Sequence, residues 1–296
     1  MNDLIVQPSN FCHIAPTSLL NLTANRSIYL VLAHLVECDE KYTEFFVEQK
    51  KKNRCTIIMD NSAYEMYKQG KPMYPTEKLI TMAEKVNADY IVMTDYPGEQ
   101  SDKTIAAAQR LAPIYHDLGY KTFFVPQGNK GDVFDTLKAY DWAVKNPEIV
   151  DYIGVSILAA PLALCSDMTN RMQRFVSRLN LMYLLHDQYI LDAAHHNKQK
   201  IHLLGMLDGP NEVMYMRPFA KYITSWDSSA AIWAAVNGIA FDGTPTGLKD
   251  GKIDLEVDFN FKLESMNVDT IEKMLKVAET NIQRIDSLWW QNIAQA

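Results

Sequence analysis

Lys221–Gly243 reads KYITSWDSSAAIWAAVNGIAFDG, and its pattern decides the fold. The run Tyr222-Ile223-Thr224-Ser225-Trp226 is rich in β-branched and aromatic residues, which suits a buried strand, and it stops on a carboxylate, Asp227. Ser228 and Ser229 can cap the apolar helix that follows, Ala230 to Val236, and Gly238 ends it. Ile239-Ala240-Phe241 then reads as a second short strand, stopping on Asp242. Strand, carboxylate, helix, strand, carboxylate is the rhythm of a (β/α)8 barrel, in which the C-terminal ends of the strands open onto the active site.

The same alternation extends through the rest of the chain. Strand-like runs occur at Ser27–His34, Cys55–Met59 before Asp60, Asp89–Thr94 before Asp95, Lys121–Pro126, Asp151–Ser156 and Ile201–Leu207. Helical patterns separate them, at about Asp39–Lys50, Pro75–Val86, Lys103–Leu118, Val133–Val144 and Pro210–Met216. With the pair in the opening stretch this gives eight strands. The expectation is α/β: a single (β/α)8 TIM barrel spanning 1–296.

Between the fifth and sixth of these runs the spacing lengthens. Residues 157–200 read as an insertion on the catalytic face, a loop followed by one long amphipathic helix from Arg171 to about Ala194, suited to a lid or clamp. Residues 244–266 read as a hairpin-like excursion built on Asp250-Gly251. A last helix, Thr270 to about Trp290, carries apolar residues at helical period and is expected to pack outside the barrel.

Composition bounds the class. The 296 residues, 48% of them hydrophobic, suffice for one barrel of about 250 residues but not for a second full domain. The four cysteines, Cys12, Cys38, Cys55 and Cys165, lie far apart with no zinc spacing, and free thiols suit a reducing cytoplasm. No run approaches a membrane span, and the first residues lack a leader pattern, so the expected location is cytoplasmic, with no membrane partner. A formal charge of −7 argues against a general nucleic-acid coat protein, yet permits a local basic surface. Arg171, Arg174 and Arg178 form one stripe at helical spacing, and Lys50, Lys51, Lys52 and Arg54 form another cluster. Each reads either as phosphate-contacting or as solvated helix face.

Asp60, Asp95 and Asp227 each close an apolar strand, where a barrel concentrates its chemistry; any one alone could equally be a helix N-cap. Beside them stand Gln127 after the fourth run and glycines in the fifth and sixth, Gly154 and Gly205. A planar ligand suits this set, with the glycines admitting close approach and Asp95 and Gln127 supplying an acceptor and an amide donor for a nucleobase edge. Asp227 and Asp60 then form a carboxylate pair at a glycosidic carbon, one attacking, the other exchanging a proton. A metal-dependent hydrolase is disfavoured because no strand carries an H-x-H pair; His34, His116 and His202 stand singly and read as core or surface residues. A Schiff-base aldolase is disfavoured because no strand has a lysine in its C-terminal half. A non-catalytic nucleobase-binding barrel would have no use for Asp227 opposite Asp60.

At these residues the chain resembles the tRNA-guanine transglycosylase superfamily, and more narrowly the small phage and bacterial DpdA-type enzymes that put 7-deazaguanine bases into DNA. Asp60-Asn61-Ser62-Ala63-Tyr64 is similar to the family's D-S-G-G-F segment, which implies a proton-exchanging Asp60 and a base-stacking Tyr64. Asp95 in TDYPG resembles the family's guanine-reading Asp. Val125-Pro126-Gln127-Gly128 resembles its V-Q-G segment apart from the inserted Pro126. Ile153-Gly154-Val155 and Leu204-Gly205-Met206 resemble its pocket strands, and Asp227 falls on the nucleophile. The family's zinc subdomain and R-N-A-R-N-type segment have no counterpart in this sequence, which turns the implied acceptor from tRNA to DNA, with tRNA the alternative. The resemblance implies a glycosyltransferase that replaces guanine with a preQ0-like base through a covalent aspartyl intermediate. It implies no metal or other cofactor, the 7-deazaguanine being a co-substrate. Arg171, Arg174 and Arg178 are its candidate phosphate contacts.

Overall fold

The computed structural model describes residues 10–207, 209–241 and 256–294. Eight strands form one sheet: β1 (Phe11–His13), β2 (Ile28–Leu32), β3 (Thr56–Asp60), β4 (Tyr90–Val92), β5 (Lys121–Phe124), β6 (Tyr152–Ser156), β7 (Lys200–Leu204) and β8 (Ile223–Ser228). Every hydrogen-bonded pair is parallel, in the spatial order β1-β8-β7-β6-β5-β4-β3-β2. The sheet curls into a nearly closed barrel, because β1 lies beside β2 as well as β8. Side chains bridge that seam: Ser27 Oγ donates to Asn10 Oδ1 at 3.3 Å, and Asn10 Nδ2 donates to the Thr224 carbonyl at 3.2 Å.

One expected strand is replaced by another. Ile239–Phe241 is not a strand. Asn281 donates to the carbonyls of Ala231 and Ile239 and accepts the Phe241 N–H at 2.6 Å, so a side chain satisfies backbone groups that a ladder would otherwise use. The vacant place in the barrel is taken by β1, whose Cys12 lies opposite Asp227. The run at Ser27–His34 is therefore the second strand, and the insertion falls between β6 and β7.

Helices α1 (Ala33–Cys38), α2 (Glu40–Asn53), α3 (Ala63–Lys68), α4 (Thr76–Val86), α5 (Ser101–Asp117) and α6 (Val133–Lys145) cover the first half of the barrel. They bury apolar faces at helical period, as α4 does with Leu79, Met82, Ala83 and Val86. The insertion holds α7 (Ala159–Ala163), α8 (Arg171–Asp187) and α9 (Ile190–His196). The single long helix expected there is two helices, broken at Tyr189, which sits in the left-handed region at φ +59°. After the break α9 buries Ile190, Leu191 and Ala194.

Then come α10 (Pro210–Tyr215), α11 (Ala230–Val236) and α12 (Val268–Ile293). Trp226 points out of β8 and meets Trp289 of α12 edge-on, ring centroids 6.3 Å apart. The opposite face of β8 turns Ser225 and Asp227 inward, because strand side chains alternate. Asp242 and the Asp250-Gly251 turn lie outside the described residues. Residues 256–260 border the C-terminal ends of the strands, with Phe259 edge-on to His34 at 5.4 Å. At the other end, Lys200 Nζ donates to Tyr90 OH at 2.9 Å and lies over the rings of Tyr90 and Tyr152, plugging the barrel. Among the described residues no helix is long and apolar enough to cross a membrane.

Candidate active site

A cleft of about 1480 Å³ opens at the C-terminal ends of the strands, walled on one side by the insertion and on another by residues 256–260. Asp60, Tyr64, Asp95, Gln127, Gly205, Asp227 and Arg174 all line it. The three strand-end aspartates therefore share one end of the barrel and one cavity.

Asp227 is placed by its strand and by its neighbours. Its Oδ1 accepts from His202 Nε2 at 3.0 Å and from the Gly205 backbone N–H at 3.1 Å. Gly205 adopts φ +73°, a conformation costly for any residue with a Cβ. Its carbonyl is held in turn by Trp226 Nε1 at 2.7 Å and Arg178 Nη1 at 2.8 Å. Arg178 Nη1 also donates to the Leu204 carbonyl at 2.8 Å, so the peptide groups on both sides of Gly205 are held.

Across the cleft, β3 ends in a tight turn. Asp60 Oδ2 accepts the Ser62 N–H at 2.8 Å, and Asn61 Oδ1 accepts the Ala63 N–H at 2.9 Å, two successive side-chain turns. Ser62 takes φ +54°, a left-handed conformation uncommon for a residue with a Cβ, and its Oγ bonds His34 Nδ1 at 2.9 Å. Burial pushes the Asp60 carboxyl well above the usual carboxylate range, and the charges of Glu65, Asp227 and Asp95 push the same way. Glu65, on α3 and in the same cleft, is pushed up to about 7 by burial, with the Asp227 charge adding to it. Burial also holds the neighbouring His34 down, at about 4.

Asp95 and Gln127 form a unit. Asn61 Nδ2 donates to Asp95 Oδ1 at 2.7 Å, and Gln127 Nε2 donates to Asp95 Oδ2 at 2.6 Å. Burial raises Asp95 to about 6 against the lowering effect of those two amides. One of the two N–H donors of the Gln127 amide is therefore engaged by Asp95. The second N–H and the Oε1 acceptor remain, the acceptor buried without a hydrogen-bond partner. Two adjacent acceptors suit a ligand edge that presents adjacent N–H donors, as a 2-aminopyrimidinone ring does.

Other expected residues have different roles. Gly154 and Gly128 do not line the cleft. A Cβ on Gly154 would come within 2.7 Å of Phe123 and 2.8 Å of Leu204, so its bareness makes room for core side chains. A Cβ on Gly128 would strike the Thr136 backbone, so Gly128 lets α6 approach. Arg178 is fully buried: it pairs with Glu212, donates to the Leu204 and Gly205 carbonyls and lies over Trp226, 5.1 Å from the ring. It cannot reach a phosphate and instead ties the insertion to the end of β7. Arg174 lines the cleft, and its Nε is buried without a partner; the Arg171 side chain lies outside the described residues.

Sequence reading gave Glu65 no role, named Asn61 only within the Asp60–Tyr64 segment, and took His202 for a core or surface histidine. Glu65 follows Asp60 by five residues, which a strand–turn–helix reading places on the cleft side of α3. Asn61 reads as a turn residue, and a lone histidine in a strand gives no signal until its partners are in place. The cleft carries more acid than base, with Asp60, Glu65, Asp95, Asp167, Asp227, Glu256 and Asp258 against Lys68 and Arg174. No protein-family model matches this chain, and no curated protein matches it.

Proposed function

We propose that this chain is a base-exchange transglycosylase that replaces guanine in DNA with a 7-deazaguanine through a covalent aspartyl intermediate. The observation that carries the reading is the unlike surroundings of the carboxylates in one cleft. Asp227 leans on two N–H donors through Oδ1, leaving Oδ2 for attack, while burial and neighbouring carboxylates raise the proton affinity of Asp60 and push Glu65 up to about 7. A carboxyl with raised proton affinity beside one held by N–H donors suits the roles of acid and nucleophile.

In this reading Asp227 Oδ2 bonds to C1′ of a flipped deoxyguanosine as the C1′–N9 bond breaks. Guanine leaves with the N9 electron pair and a proton from Asp60. The incoming preQ0-like base gives its N9 proton back to Asp60, bonds to C1′ and expels the aspartate, so two inversions retain configuration. Tyr64 supplies a stacking face, Asp95 and Gln127 Oε1 read the 2-amino and ring N–H edge, and Arg174 contacts phosphate at the rim. Glu65 shares the proton with Asp60.

The test is incubation with guanine-containing duplex and labelled preQ0, followed by nucleoside analysis. Label in deoxynucleoside, with free guanine released in equal amount, is expected. Label entering only tRNA would reassign the acceptor. Guanine release without incorporation would make the chain a glycosidase, and base binding without either would make it a non-catalytic barrel.

A further inference from the structure

Beneath the cleft floor a chain of polar side chains crosses the barrel interior from β6 to β8, then to β7 and back to β8. Tyr152 OH and Ser225 Oγ are 2.5 Å apart, Ser225 Oγ and His202 Nδ1 are 2.6 Å apart, and His202 Nε2 reaches Asp227 Oδ1 at 3.0 Å. Tyr152, His202 and Ser225 are all 0% exposed, and none of the three lines the cleft. Around them the interior is packed by Phe123, whose ring centroid is 5.5 Å from that of His202 and 5.0 Å from that of Tyr152.

Burying three polar side chains in a barrel core costs more than filling it with apolar ones, unless every donor and acceptor is satisfied. One assignment satisfies all of them when Asp227 is the final acceptor. Tyr152 donates its O–H to Ser225, Ser225 donates to His202 Nδ1, and His202 donates Nε2–H to Asp227. The direction is set at the aspartate, since a carboxylate only accepts. Such a chain fixes the imidazole tautomer and the ring plane together, as the outer partners of a working histidine do.

We propose that His202 is a positioning residue. Locked by Ser225 and Tyr152, it holds Asp227 Oδ1 jointly with the Gly205 N–H, so that Oδ2 is the oxygen aimed at the reacting carbon. The inference rests on Asp227 being the nucleophile, and it extends that reading to residues that touch neither base nor sugar. A misaimed attacking oxygen costs about 10²-fold in rate while leaving substrate affinity in place.

The experiment compares wild type with His202→Leu, His202→Gln and Ser225→Ala, reading kcat and KM for labelled preQ0 exchange into guanine-containing duplex, normalised to folded protein by circular dichroism. His202→Leu removes the donor and is expected to lower kcat about 10²-fold with KM within a few-fold. His202→Gln keeps an N–H at the distance of Nε2 and is expected to recover most of that loss. Ser225→Ala, a small change that keeps the imidazole, should lower kcat several-fold at unchanged KM. Should His202→Leu not fold, the glutamine and alanine variants still decide. A purely structural role would lower the folded fraction with kcat per folded molecule unchanged, and that result overturns the proposal. Glutamine as damaging as leucine, or Ser225→Ala at wild-type kcat, also overturns it. A wild type that exchanges no base overturns the nucleophile reading and this role together, whereas exchange by all four proteins at one rate overturns this role alone.

Discussion

On the β7–β8 wall of the cleft, Asp227 rests on the His202 imidazole and on the backbone N–H of Gly205, whose carbonyl is pinned by Trp226 and Arg178. On the β3–β4 wall, Asp60 has one backbone donor, a left-handed Ser62 beside it, and Glu65 and Asp95 close enough to raise its affinity for a proton. The first wall is braced to hold one oxygen in one place. The second is crowded so that protons stay available. A double displacement needs both, and each wall can be broken separately.

The largest expected effect is on the braced wall. Asp227→Asn removes the attacking anion at nearly constant size, so exchange should fall on the order of 10⁴-fold or more with base affinity retained, as measured by single-turnover kinetics and calorimetry. Asp60→Asn should instead slow each half-reaction by about 10²–10⁴-fold, the usual worth of acid–base help. If the two substitutions gave indistinguishable losses in adduct formation, the division between the walls would be wrong.

The bracing itself can be tested through stability. Arg178→Leu removes the guanidinium paired with buried Glu212 and should cost about 3–5 kcal/mol in denaturant unfolding. Arg174→Ala, one helical turn away and facing the cleft, should leave stability within about 0.5 kcal/mol while weakening DNA binding and reducing its salt dependence.

The crowded wall has a signature in pH. The carboxyls of Glu65 and Asp95 lose protons near 4 when unfolded and only near 7 and 6 when folded. Between those values the folded state binds more protons than the unfolded one, so stability falls as pH rises and levels off above about 7. Glu65→Gln removes its share. Relative to wild type it should be unchanged at pH 4 and more stable by about 1–2 kcal/mol at pH 8, in thermal melts across that range. A stability difference independent of pH would contradict the crowding. The smallest effect is expected at Ser62→Gly, which relieves a positive φ worth about 1 kcal/mol and loses the His34 hydrogen bond of similar size, leaving stability within about 1 kcal/mol.

What sequence made legible follows from what is local. The strand-ending aspartates stood out because a carboxylate after a run of β-branched residues is visible without partners, and all three meet in one cleft. The eighth strand was misplaced because Ile239–Phe241 has strand-like residues whose backbone is captured by Asn281, forty residues on, while β1 is only three residues long between prolines. The arginine stripe shows the same limit. Helical spacing puts Arg174 and Arg178 on one face, but only the position of Glu212 tells which of them is buried. Likewise Gln127 was legible as a polar group at a strand end, whereas the direction of its amide depends on Asp95 lying 2.6 Å away.

The most direct measurement is mass mapping of the trapped protein–DNA adduct. Wild-type protein is mixed with guanine-containing duplex without an incoming base, denatured and digested with nuclease and protease, and each peptide is weighed. The account predicts a deoxyribosyl mass on the peptide holding Asp227, at a stoichiometry that falls when preQ0 is added. The same mass on a peptide holding Asp60, Glu65 or Asp242, or robust exchange with no adduct on any peptide, would contradict it.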